Sequence, residues 1–146
     1  KITVEQALNA VITYCEQKNQ KLIVKGHPVN RASMEPLRTL TIASTVTEYI
    51  EDGSIFDFIE HAKLVCVVNS GTGFESILMN KPVVMFGDAE YDKVVNKANL
   101  DNYMDVIASA KYDARQYRRF VNRWTTIMYK SDDSFSFRKL PSINSF

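Results

Sequence analysis

Cysteine is scarce in this 146-residue chain: Cys15 and Cys66 are the only two, both in apolar contexts, with no metal-ligand or redox spacing between them. That excludes a disulfide-stapled secreted module and a zinc module, reads both residues as core, and favours a reducing compartment. Five glycines and four prolines are too few for a collagen-like or low-complexity polymer. Charge of one sign is missing as well. The 18 Lys and Arg balance 17 Asp and Glu to a net +1, so no electrostatic bias towards nucleic acid follows. No apolar run approaches the roughly 20 residues needed to span a bilayer, the first residues do not follow the charged-then-apolar signal pattern, and no internal repeat is found.

What remains is 45% hydrophobic and 24% charged, the composition of one folded domain of ordinary size. A domain over residues 1–130 with a Ser-rich C-terminal extension over 131–146 is predicted. The chain opens on Lys1 rather than Met and enters a helical pattern almost at once, as a piece of a longer protein would.

Val4, Ala7, Leu8, Val11, Ile12 and Cys15 recur at helical spacing, which predicts an amphipathic helix over 3–19. Leu22-Ile23-Val24, closed by Gly26-His27-Pro28, predicts a buried strand ending in a loop. A helix over 33–44 with Pro36 in its first turn, and a β-branched strand over 45–50 ending at Glu51-Asp52-Gly53, come next. Ser54 is then expected to cap a helix whose apolar face is Ile55, Phe56, Ile59 and Ala62.

Leu64 to Val68 is a continuous apolar strand, so both its faces should be covered. The polar loop 69–73, a helix from Phe74, and a second apolar strand over 83–86 follow. Strand and helix alternating in this way predict an α/β, Rossmann-like, doubly wound parallel sheet. In the last helix Tyr117, Phe120, Val121, Trp124, Ile127 and Met128 form one face, and Arg115, Arg118, Arg119, Arg123 and Lys130 the other. A solvated face is the first reading of that basic stripe, and a membrane or an acidic partner the alternative.

Ligands of open α/β sheets bind beyond the carboxyl ends of the strands, where backbone amides and helix N-termini converge. Two turns fit. One is Lys25-Gly26-His27-Pro28; the other is Asn69-Ser70-Gly71-Thr72-Gly73, leading into a helix with Glu75 expected in its first turn. Glycines allow close approach of the backbone, the Ser70 and Thr72 hydroxyls donate, and a carboxylate accepts from ribose, a combination that suits a nucleotide. Neither a Walker loop nor a dinucleotide fingerprint is present. His61 reads as the C-terminal dipole partner of its helix.

These turns, with Phe74-Glu75-Ser76 and Asn80-Lys81-Pro82-Val83-Val84-Met85-Phe86-Gly87, resemble the C-terminal, donor-binding half of two-domain GT-B glycosyltransferases. The likeness is to capsule and lipopolysaccharide enzymes of the Kdo-transferase type, and more distantly to bacterial sialyltransferases. It covers roughly residues 22–91. The resemblance implies that Lys25 and His27 contact the phosphate of a CMP-sugar while Pro28 fixes the loop. It further implies that Ser70 and Thr72 supply hydroxyls to that phosphate within the Gly71–Gly73 turn. The sialyltransferase-like pattern has two adjacent serines where this chain has Ser70-Gly71, which moves the second contact to the Gly71 amide. Glu75 would lie near the ribose, and Tyr49, Ile50 and Glu51 near the base.

The implied activity is transfer of a sugar, Kdo or similar, onto a growing bacterial surface polysaccharide, with the nucleoside phosphate as leaving group. No cofactor beyond the nucleotide sugar is implied, and no paired-Asp motif argues for a metal. The general base resembles an Asp or Glu of an N-terminal domain that this chain does not contain, as is the glycan acceptor site, so no catalytic residue is assigned here. The expected place is the cytoplasm or the inner face of its membrane, through peripheral association. Three other readings stay open: a UDP-sugar 2-epimerase half, a CDP-polyol phosphotransferase domain, and a non-catalytic α/β interaction domain.

Overall fold

The structure is a computed structural model and describes residues 1–27 and 32–131, with side chains as far as Arg123. The expected extension beyond Ser131 and the loop residue Pro28 lie outside the described residues.

Helix α1 runs Val4–Lys18 and is closed at both ends by its own sequence. Thr3 Oγ1 accepts from the Gln6 amide at 3.1 Å, and the Gln6 side chain accepts in return from the Thr3 amide at 2.9 Å. This reciprocal box satisfies two donors that a helix start otherwise leaves bare. Asn19, in the left-handed region at φ 50°, ends the helix. Strand β1 (Leu22–Lys25), helix α2 (Glu35–Ile42, with Pro36 in its first turn) and strand β2 (Thr47–Ile50) follow, and β1 pairs with β2 in parallel.

Helix α3 (Ile55–His61) leads to strand β3 (Val65–Val67), helix α4 (Gly71–Leu78) and strand β4 (Val83–Met85). Strand β5 is only Asn96–Lys97; helix α5 spans Tyr103–Ala108 and helix α6 Ala114–Ser131. The second ladder is ordered β3-β4-β5 and is parallel throughout. The fold is thus Rossmann-like α/β, as the alternation predicts, with its pairing divided into two ladders.

Side chains alternate across a strand, so β3 and β4 serve two cores at once. Val84 and Phe86 pack with Ala7, Ala10, Val11 and Cys15 of α1 and with Ile107 of α5, joined by Leu22, Cys66 and Val68. Val83, Met85 and Val67 face the other way, onto Ile77 and Leu78 of α4 and Tyr117 and Val121 of α6. Val83, Val84 and Met85 are wholly buried. Leu22 in the first of these cores couples the β1–β2 ladder to the other one by packing rather than by backbone bonds. Both cysteines are free; burial pushes the Cys66 thiol up to about 12, with Cys15 close enough to add to the shift.

Several expectations need correction. Val4, in the first turn of α1, is 48% exposed, because the helix reaches the core only at Ala7. Ile23 points away from the side of β1 that Leu22 shares with α1, and is 42% exposed. Phe56 is also exposed, while Ile59 alone is fully buried on the short α3. Ser54 stands at the N-cap of α3 but makes no side-chain cap; the Asp57 and Phe58 amides bond its carbonyl instead. The His61 ring does bond back onto its own helix, Nδ1 to Asp57 O at 2.8 Å. Elements β5 and α5 were not expected at all. Among the described residues no helix is long and apolar enough to cross a membrane.

Replacing Ile77, which is fully buried, by Ala should cost about 2–5 kcal/mol. Thr3→Ala, which opens the box of α1, should cost about 1 kcal/mol. Urea unfolding of the two variants beside the parent checks both values and their order.

Candidate functional site

The first turn is assembled by the β1–β2 register, which sets Val24 beside Tyr49 and Lys25 beside Ile50. The Gly26 amide donates to Ile50 O at 2.8 Å. Lys25 Nζ reaches across the strand ends to Glu51 O at 2.5 Å and to Gly26 O at 3.2 Å. An ammonium has three N–H donors, so these two bonds leave one uncommitted. Gly26 has no room for a side chain: a Cβ there would fall 2.1 Å from Tyr49 Oη. Tyr49 Oη in turn lies 3.4 Å from Glu51 Oε1. The residues expected around the base, Tyr49, Ile50 and Glu51, are therefore gathered with Lys25 and Gly26 at one strand end. His27 follows them and is exposed.

The second turn differs from its prediction in a useful way. Helix α4 begins at Gly71, so Gly71, Thr72 and Gly73 are its first turn rather than a loop, and Glu75 stands in its second turn. Ser70 is the N-cap; its Oγ accepts from the Thr72 amide at 3.1 Å. That bond uses the oxygen as acceptor and leaves the hydroxyl proton to donate elsewhere. Ser70 O accepts from the Gly73 amide at 3.0 Å and from Tyr91 Oη at 2.5 Å. Among the described residues, neither the Gly71 amide nor the Thr72 hydroxyl has a hydrogen-bond partner. The start of α4 thus presents an amide and two hydroxyls beyond the carboxyl end of β3.

The two glycines of this turn have opposite surroundings. A Cβ on Gly71 would meet nothing within 4 Å, whereas one on Gly73 would fall 2.3 Å from Tyr91 Oη. Gly73 is a packing requirement and Gly71 lines open space. Glu75 is four residues beyond Gly71 and so shares its face of the helix. Partial burial pushes the Glu75 carboxyl above its usual range, and no hydrogen bond engages it among the described residues. Ser76, by contrast, is buried with its hydroxyl donating to Thr72 O at 2.7 Å.

Two contributors escape a reading of the sequence. Tyr91 is buried and braces Ser70, across 21 residues of chain, and Gly73 beside it; burial, helped by Glu90, pushes its phenol up to about 12. Lys97 at the end of β5 donates to Gly87 O and to Asp88 Oδ1, and this ion pair holds the Asp88 carboxyl below its usual range. An aromatic residue inside the polar run 88–92 was the one available hint of the brace. Among the described residues no group of three or more His, Cys, Asp and Glu side chains could hold a metal ion. The first turn ends β1 and the second ends β3, each closed by its own neighbours.

Gly71→Ala should leave thermal stability unchanged or slightly raised, since Ala favours a helix, while Gly73→Ala should lose about 1–3 kcal/mol through its collision with Tyr91. Thermal melts of the pair test the contrast. For Glu75 the raised carboxyl means that the folded chain binds the proton more tightly than the unfolded one. Stability should therefore rise as pH falls through the window above the ordinary glutamate range, and decline as pH rises through it. Glu75→Gln should flatten that slope and be at least as stable at neutral pH, which melting temperature against pH for both proteins will read.

Comparison with known proteins adds the biological setting. Residues 3–95, which include both turns and Tyr91, match the family described as Capsule polysaccharide biosynthesis protein. The chain is also similar to the capsule polysaccharide export protein KpsS of Escherichia coli, at 32% identity over 81 residues, covering 51% of this chain and 21% of that protein. It thus spans about a fifth of that relative's length. No solved structure matches. With most of its described core and both strand-end turns inside the matched segment, the chain belongs to the capsule polysaccharide biosynthesis protein family.

Proposed function

We propose that this chain is the donor-binding domain of a glycosyltransferase, one that binds a CMP-activated sugar of the Kdo type for assembly of a bacterial capsule polysaccharide. The start of α4 carries the reading: an amide, two hydroxyls and open space at Gly71, all at the carboxyl end of a parallel strand. Membership of a capsule biosynthesis family supports it, because a polysaccharide is built by joining activated sugars.

In this reading the donor phosphate lies against the Gly71 amide and receives bonds from the Ser70 and Thr72 hydroxyls. Lys25 and His27 bring positive charge from the end of β1. As the glycosidic bond breaks, negative charge grows on the leaving phosphate, and donors already aimed at its oxygens lower the barrier without reorganising. Glu75 accepts from a ribose hydroxyl, and Tyr49 to Glu51 border the base. The proton of the acceptor hydroxyl goes to a carboxylate outside this chain, so the 146 residues bind donor and do not turn it over.

Titration calorimetry with CMP, UDP and CDP tests the reading. CMP should bind best; preference for UDP would favour an epimerase half, preference for CDP a polyol phosphotransferase, and no binding a non-catalytic domain. His27→Ala should weaken CMP by about tenfold to a hundredfold, the worth of a hydrogen bond to a charged group. Ser70→Asp is the sharper variant. Aspartate still caps α4, so the fold should hold, while its charge should repel the phosphate and abolish binding. Sugar transfer by this polypeptide alone would overturn the assignment of the base.

A further inference from the structure

Helix α6 lies beyond the segment that matches the family, and its two sides differ sharply. One side is spent on the core. Tyr117 and Val121 are buried, Tyr117 Oη donates to Lys81 O at 2.9 Å, and the Phe120 ring meets Phe74 edge-on at 6.0 Å. On the other side Arg115, Arg118, Arg119 and Arg123 are all exposed. Their spacings of three and four residues set them in one stripe along the helix.

The stripe concentrates charge that the whole chain conceals. Residues 114–131 contain five basic residues, with Lys130, and no Asp or Glu; the rest of the chain has 13 basic against 17 acidic residues, a net −4. Among the described residues none of these four guanidinium groups has an ion pair or a hydrogen bond. Like charges at such spacings destabilise a helix unless an anion lies against them.

We propose that the arginine stripe of α6 docks this protein on an anionic phospholipid surface. An exposed row of side chains along one side of a helix can meet a flat surface together. Among the described residues of α6, Gln116 and Asn122 rather than aromatic rings interleave the arginines, so that stretch offers no stacking platform of the kind single-stranded nucleic acid requires. Because the apolar side of the described part of α6 is already packed, the helix adsorbs and does not insert, and its binding is electrostatic, reversible and salt-labile. Tyr117 contacts Lys81 beyond the C-terminus of α4 and Phe120 contacts Phe74 near its start, so α6 is tied to both ends of α4. Docking through α6 would then hold α4 at a fixed orientation to the surface. None of this depends on the identity of the donor.

Flotation of the 146-residue protein with vesicles decides it. At low salt the protein should float with phosphatidylcholine vesicles containing phosphatidylserine, stay behind with phosphatidylcholine alone, and be released by high salt. Each basic residue near an anionic surface multiplies partitioning about fivefold, so changing all four arginines to Gln should weaken it more than about a hundredfold. The Arg115→Gln/Arg123→Gln double variant should lose about 25-fold on the same scale and serves if the quadruple one folds poorly. Four Arg→Lys changes should retain binding. Equal flotation with neutral vesicles, or a Gln variant that floats like the parent, would overturn the proposal. So would retention on immobilised RNA or an acidic glycan without flotation on the charged vesicles.

Discussion

Burial of β4 on both faces is the constraint from which the rest of the molecule follows. A strand whose successive side chains all leave water must be covered from two directions, and Val83 to Phe86 are covered by α1 and α5 on one side and by α4 and α6 on the other. Each such side chain contributes about 1.5–3 kcal/mol on leaving water. That burial fixes where β3 lies, because Phe86 and Gly87 donate their amides to Val67 O and Val68 O. Fixing the end of β3 fixes the start of α4, and with it the turn that offers free donors. Packing near Val84 and chemistry near Ser70 are therefore two ends of one arrangement.

Much of this was legible in the residues. Uninterrupted apolar runs announced β3 and β4, helical spacing announced α1 and α6, and Thr3 and Asn19 marked the ends of α1. Polar β5 has two residues and α5 has six, too few for either period to emerge. The residue pattern sets the start of α4 three residues late, at Phe74, for a different reason. Gly71 and Gly73 argue against helix by propensity, yet the Ser70 cap and the Tyr91 brace hold them in one. Contacts across 21 residues leave no local trace, so Tyr91 remained invisible while the donor-bearing residue types did not. Glu75 was placed one turn too early by the same error.

The family match and the structural unit do not coincide. Residues 3–95 contain both strand-end turns, but the side of β4 under α4 is closed by Tyr117 and Val121 from α6. Tyr117 also bonds Lys81 O, immediately before β4. Whatever is common to the family in the turn rests here on a helix from outside the matched segment. The same helix carries +5 in a chain of net +1, which unites support of the core and surface electrostatics in one element.

The thiols of the α1 side have a practical corollary. The raised thiol of Cys66, at about 12, suppresses the thiolate at neutral pH, and only the thiolate attacks an alkylating reagent. Its neighbour Cys15, on α1, is buried where Cys66 is half-buried, and its thiol is also raised by burial. Alkylation at Cys15 then waits for α1 to lift from the sheet, and its rate becomes a clock for that opening, with no engineered probe required.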